Sequence, residues 1–223
     1  MAVSFQTLLT GIRRNLRDAN GTTWNDAQLG ELIQQGIDAV SSIYPNEGVE
    51  QVAYTVPSQG AIHSYTFSAI TWPIRVDVLN SDGKYSETIK PTVGEGMDSG
   101  WDFYGGKLYL PSHYAFSSNT GTLYVTGYQP WLQISPTYTT ANVAVSPSTV
   151  TTDLNNRAQY AVKVFVAAEA LSMLMFDRAQ FQQWQVGGGN TDISALGLNN
   201  LAAAAQARWR DEKTRIRTIR RLG

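Results

Sequence analysis

The hydrophobic period of this chain changes twice along its length. Near both ends apolar residues recur every 3.6 positions, whereas from Glu47 to about Tyr138 they recur every two. The first spacing lines one face of a helix and the second lines one face of a strand. Helices built from the two ends and a sheet built from the middle predict an α+β protein.

The helical parts can be read in some detail. Phe5, Leu8, Leu9, Ile12 and Leu16 fall at helical spacing with Arg13, Arg14 and Arg17 on the other side, which predicts an amphipathic helix over residues 3–19 that ends at Asn20-Gly21. Thr22-Thr23-Trp24-Asn25-Asp26 gives capping choices for a second helix, including Thr23 with Asp26 three residues on, an acidic relative of a capping box. Its apolar positions Leu29, Leu32, Ile33, Gly36, Ile37, Val40 and Tyr44 keep the period until Pro45, and the short connection makes the pair an antiparallel hairpin. A third helix, over residues 154–184, is apolar around most of its circumference and needs neighbours on several sides. Its longest apolar run, Val164 to Phe176, contains Glu169 and falls short of the ~20 residues of a membrane span, so a buried helix is expected. Gly187, Gly188 and Gly189 then form a flexible hinge, after which a fourth helix extends from Thr191-Asp192 to the end.

Between them, Gln51–Val56, Ser64–Phe67, Ile74–Leu79, Lys107–Leu110 and Gly121–Tyr128 read as strands, separated by turn sequences at Pro57–Gly60, Ser81–Lys84 and Tyr104–Lys107. Residues 129–151, rich in Pro, Ser and Thr, read as a loop or extended linker. The expected organisation is a bundle of about four helices from residues 1–45 and 150–223, carrying an inserted small antiparallel β domain, barrel or sandwich, over residues 46–149.

Composition narrows the chemistry. With 43% hydrophobic residues, six Trp, eleven Tyr and seven Phe in 223 residues, global disorder is excluded. No cysteine is present, which removes disulfides, thiol nucleophiles and Cys-based zinc sites. His63 and His113 are the two histidines; neither has a carboxylate fixed beside it by spacing, and both are expected at the surface. Glu47/Glu50 and Asp98/Asp102 read as solvated turn residues as readily as paired acids. The glycine run lacks the Lys-Ser/Thr of a phosphate-binding loop and follows a helix, and the metalloprotease, EF-hand and hydrolase-elbow motifs are absent. No catalytic residue, cofactor or metal site is expected. The N-terminus carries no basic segment followed by an apolar core, so the chain is expected to remain in the cytosol of the cell that makes it.

Charge is unevenly placed. Seven of the 17 Lys and Arg fall in residues 203–223 against two of the 18 acids, which gives that segment +5 and leaves −6 on the rest of a chain of net charge −1. A solvated helix end is one reading of the basic segment, and docking on an acidic partner or facing nucleic acid is the other. Trp209, Ile216 and Ile219 among the cations favour docking on protein, since phosphate binding alone does not require an apolar stripe.

The opening pattern, Leu16-Arg17-Asp18 followed by Thr23-Trp24-Asn25-Asp26-Ala27-Gln28-Leu29 and a second helix closing at Tyr44-Pro45, resembles head–tail connector (adaptor) proteins of tailed bacteriophages. The long apolar helix with Ala168-Glu169-Ala170-Leu171 and the terminal Arg208-Trp209-Arg210-Asp211-Glu212-Lys213 are similar to that family's C-terminal half. The resemblance covers about half of the chain and leaves the inserted β region out. It implies a structural virion protein at the head–tail interface, forming a homo-oligomeric ring beneath the portal protein, usually of twelve copies. Such a ring also contacts tail or nozzle proteins and passes double-stranded DNA without reading its sequence, with no membrane partner. It further implies that Arg208, Trp209, Arg210, Lys213, Arg215, Ile216, Arg217, Ile219, Arg220 and Arg221 dock on the portal, swung out on the glycine hinge. Two other classes stay open: a carbohydrate- or ligand-binding β module on a helical anchor, and a hydrolase with an unfamiliar site.

Overall fold

The computed structural model describes residues 2–55, 63–80, 82, 85–91, 100–110, 120–184 and 195–222. In chain order the elements are β1 (Val3–Ser4), α1 (Phe5–Leu16), α2 (Asp26–Ile43), β2 (Asn46–Thr55), β3 (His63–Thr66), β4 (Trp72–Asn80), β5 (Tyr85–Ile89), β6 (Asp102–Tyr104), β7 (Lys107–Leu110), β8 (Thr120–Gln129), β9 (Thr137–Tyr138), β10 (Ala144–Val145), β11 (Thr151–Thr152), α3 (Asn156–Trp184) and α4 (Ala195–Leu222). The fold is mixed α and β, with antiparallel sheets, and the chain divides into two compact units. One comprises residues 1–44 and 131–223, and the other residues 45–130.

In the helical unit, α1 begins where the Ser4 side chain accepts the Thr7 amide and ends with Arg17 in the left-handed region, whose N–H closes onto the carbonyls of Arg13 and Arg14. Of the capping choices before α2, Asn25 is the one used: it accepts from the Gln28 amide while the Gln28 side chain accepts from the Asn25 amide. The intervening turn is organised by Asp18, whose carboxylate accepts from the amides of Thr22, Thr23 and Trp24 at 2.9, 3.2 and 3.0 Å. Arg13 ties the turn together, reaching Asp18 at 3.3 Å and Asp26 at 2.7 Å. Phe5, Leu8 and Ile12 of α1, Leu29, Ile33 and Ile37 of α2, and Ala158, Val162 and Val166 of α3 are fully buried in one apolar cluster. Gly36 lets α3 come close, since a β-carbon there would lie 3.0 Å from the Phe165 ring.

Residues 131–149, expected to travel with the β domain as linker, belong to the helical unit. Trp131 and Ile134 are buried in its core, the Trp131 indole donates to the Tyr44 carbonyl at 2.7 Å, and Gln34 donates to the Ile134 carbonyl at 2.6 Å. The segment then forms the small β9–β10 ladder and pairs β11 with β1, so a Pro-rich composition here marks irregular backbone packed on helices.

In the second unit, β2 and β8 pair in unbroken register from Asn46↔Gln129 to Thr55↔Thr120, within a sheet of order β2-β8-β4-β5; a second sheet has order β3-β7-β6. Val76, Val78, Leu123 and Val125 from the first and Leu108 and Leu110 from the second share one buried cluster. The expected Tyr104–Lys107 turn is present: Gly105 and Gly106 both have positive φ, 59° and 76°, which a two-residue hairpin turn of this hand requires. β5 pairs with β4 and β6 with β7, as hairpins at the expected Ser81–Lys84 and Tyr104–Lys107 turns require, although neither strand is marked by its own short, polar sequence. Of the other turn sequences, Pro57–Gly60 and most of Ser81–Lys84 lie outside the described residues, as do the glycine hinge at 187–189 and His113.

Candidate functional site

The residues singled out for docking lie on α4, and the structure divides them. The side of α4 that carries Ala202, Trp209, Glu212 and Ile216 is buried, with Trp209 8% exposed and Ile216 fully enclosed in the core of the helical unit. Trp209 meets the Phe165 ring edge-on, centroids 5.3 Å apart. Gln206 donates to the Ser172 hydroxyl at 3.0 Å and to the Glu169 carboxylate at 3.2 Å. The expectation that Trp209 and Ile216 are free to enter a partner is therefore corrected. An α3 that is apolar around most of its circumference needs cover, and the apolar positions of α4 supply it within the same chain.

The cations take the other faces. Arg208, Arg210, Arg215 and Arg217 are exposed and Lys213 is half-buried. Arg208 stacks over the Tyr160 ring at 5.6 Å and donates to its hydroxyl at 2.8 Å. Arg210, Lys213 and Arg217 follow one another at i, i+3 and i+7, which aligns three positive charges along the helix. The side chains of Ile219, Arg220 and Arg221 lie outside the described ones. Glu212 is the one acid turned inward on this helix among the described residues; Arg157 of α3 approaches its carboxylate at 2.8 Å and Arg215 at 3.8 Å. Sequence reasoning missed this pair, although an acid at the spacing of the buried positions was a visible signal.

Cover by α4 is incomplete. Met173 and Phe176 of α3 are 48% and 65% exposed, and Leu201 of α4 is 60% exposed. The segment Asn156–Asp177, 22 residues of mean hydropathy 1.3, is longer than the run recognised in the sequence and by length and composition alone suffices to cross a bilayer. In this fold its Ala158, Ala161, Val162 and Val166 are occupied by packing in the core of the helical unit.

No family model matches this chain, and no curated protein matches it.

In the β unit the aromatic residues are split as well. Tyr54, Phe67 and Trp101 are core, while Trp72, Tyr85 and Tyr104 are 66%, 58% and 76% exposed. Trp72, Pro73, Pro91, Trp101, Asp102 and Phe103 line a cleft of about 180 Å³. His63 is buried, contrary to the surface position expected, and burial pushes its imidazole below the ordinary value of 6.5. Glu50 is no solvated turn acid: its two oxygens accept from the amides of Ser68, Ala69 and Ile70 at 2.9, 2.9 and 3.1 Å. Among the described residues no three His, Cys, Asp or Glu side chains come together.

Proposed function

We propose that this chain is a non-enzymatic structural protein of a tailed-phage virion, a head–tail connector whose copies form a ring between the portal protein and the tail or nozzle proteins. In this reading the fold is a four-helix bundle interrupted by a small β sandwich, and DNA passes through the ring without sequence readout. The observation that carries it is the exposure of large apolar side chains on α3 and α4, Met173, Phe176 and Leu201, which suits contact with another protein chain. The likeness of the α1–α2 and α3–α4 sequences to connector proteins supplies the identity of that assembly. Portal docking, in this reading, uses the exposed cations Arg210, Lys213 and Arg217, with Arg208 and Arg215 beside them, against an acidic surface. Trp209 and Ile216 hold the helix in place.

Light scattering on the full chain mixed with its portal tests this directly. A defined complex with one chain per portal subunit is expected, and no association at any ratio would overturn the reading.

A second reading, a saccharide-binding β module, is favoured by the cleft that exposed Trp72 lines together with Asp102. Glycan-array binding that Trp72→Ala abolishes would select it.

A further inference from the structure

A second cationic feature lies at the end of α1. Thr10, Arg13, Arg14, Arg17 and Ala19 line a cleft of about 380 Å³ at the C-terminal end of this helix. Positions 10, 14 and 17 are spaced i, i+4 and i+7, so they fall along one exposed side of α1 while Phe5, Leu8 and Ile12 face the core.

The usual reason for arginines at a helix C-terminus is to satisfy its last carbonyls and oppose its dipole. Here the Arg14 and Arg13 carbonyls already accept from the backbone amides of Arg17 and Asp18, at 3.3 and 2.9 Å, and the dipole's partial charge of about −0.5 leaves the two full charges of Arg14 and Arg17 in excess. Arg13 is anchored by Asp18 and Asp26, which makes it a fixed wall. Arg14 and Arg17 have no carboxylate partner among the described residues, and both are exposed. Two unpaired guanidinium groups and the Thr10 hydroxyl thus border one concave site.

We propose that this cleft binds a phosphate group. A carboxylate presents two coplanar oxygens and is satisfied by one guanidinium fork, whereas two forks and a hydroxyl suit the larger set of oxygens on a tetrahedral phosphate. The group is either a backbone phosphate of nucleic acid or free phosphate. The inference stands on the cleft and its arginines and does not rest on the connector reading.

The full chain is titrated with a fluorescent DNA duplex at low salt, and separately with orthophosphate followed by ³¹P line broadening. Arg14→Gln/Arg17→Gln is compared with Arg208→Gln/Arg210→Gln, which removes the same charge on α4. Both pairs are exposed, so circular dichroism should confirm that each variant folds. The expected result is that the α1 variant loses binding about tenfold and the slope of log K against log salt falls by about one to two, while the α4 variant behaves as the parent. Loss on the duplex arm identifies backbone phosphate, and loss confined to the orthophosphate arm identifies the free anion. Equal losses in both variants would mean diffuse attraction, and binding in neither arm would mean no site; either outcome overturns the proposal, as would unchanged affinity of the α1 variant for both probes.

Discussion

Asp18 and Glu50 do the same job in different units. Each is a carboxylate folded back on three consecutive backbone amides, fixing a turn that no regular ladder holds. Burial alone would raise both carboxyls, but the amide bonds, with the Thr22 and Ser68 hydroxyls, outweigh it and hold each below its ordinary value of 3.8 or 4.5. A depressed carboxyl stabilises the fold above its unfolded-state value and loses that contribution as pH falls through the folded one. Thermal melts should therefore drop steeply below about pH 4.5, and Asp18→Asn and Glu50→Gln should each flatten that slope. His63 has the opposite charge type: its buried imidazole resists protonation, so stability also declines as pH falls below 6.5, and His63→Phe should remove that step. The buried Glu212 gives an asymmetric pair of outcomes. Arg157→Leu leaves a carboxylate that is 3% exposed with only the more distant Arg215, 3.8 Å away, and should cost about 3 kcal/mol in urea unfolding. Glu212→Leu leaves Nε and Nη2 of Arg157 buried, but 28% of that longer side chain is exposed and can carry its charge towards water, so the cost should be smaller. Equal costs would show that Arg157 is as dry as its partner.

At the scale of elements, α4 changes the meaning of a truncation. Removing residues after Gln206 deletes two core side chains, Trp209 and Ile216, worth about 3–6 kcal/mol of burial together. The truncated chain should melt far below the parent, and failure to bind a portal would then say nothing about docking. Charge reversal is the cleaner probe: Arg210→Glu with Arg217→Glu should leave the melting temperature within a few degrees and, under the proposed connector function, abolish co-sedimentation with a portal protein. Long elements with sustained period were legible, because many positions repeat one instruction; α1, α2, α3, β4, β7 and β8 all lie within a few residues of where the pattern places them. What periodicity could not provide was partnership. The same Trp209 and Ile216 that mark an apolar stripe serve equally to join an outside protein or to cover α3, and only the folded chain says which. The cap at Asn25 could not be singled out because Thr23 presents a comparable spacing, and β5 and β6 were legible only as the far arms of two turns because Tyr85–Ile89 and Asp102–Tyr104 are held by their neighbours' ladders more than by their own apolar content.

At the scale of the molecule, the chain passes between its two units at one place. On the helical side Tyr44 and Trp131 touch, with ring centroids 6.1 Å apart. On the other side Asn46 pairs with Gln129. Each unit is thus closed by contacts of its own where the other begins, and each has its own apolar cluster. Residues 45–130 replaced by a short Gly-Ser linker should leave the helical unit folded, and residues 46–130 expressed alone should retain a β-type circular dichroism spectrum with cooperative melting. Loss of cooperativity in either piece would show that the units depend on each other. The cleft on α1 and the cation row on α4 both belong to the helical unit, so the excised chain also offers a way to examine them without the β unit. For a genome this junction has a further meaning. Because exit and return are neighbours, everything between codons 45 and 130 can be exchanged by recombination as one cassette without disturbing the spacing of the helical core, so lineages can renew that part of the surface while inheriting the rest unchanged.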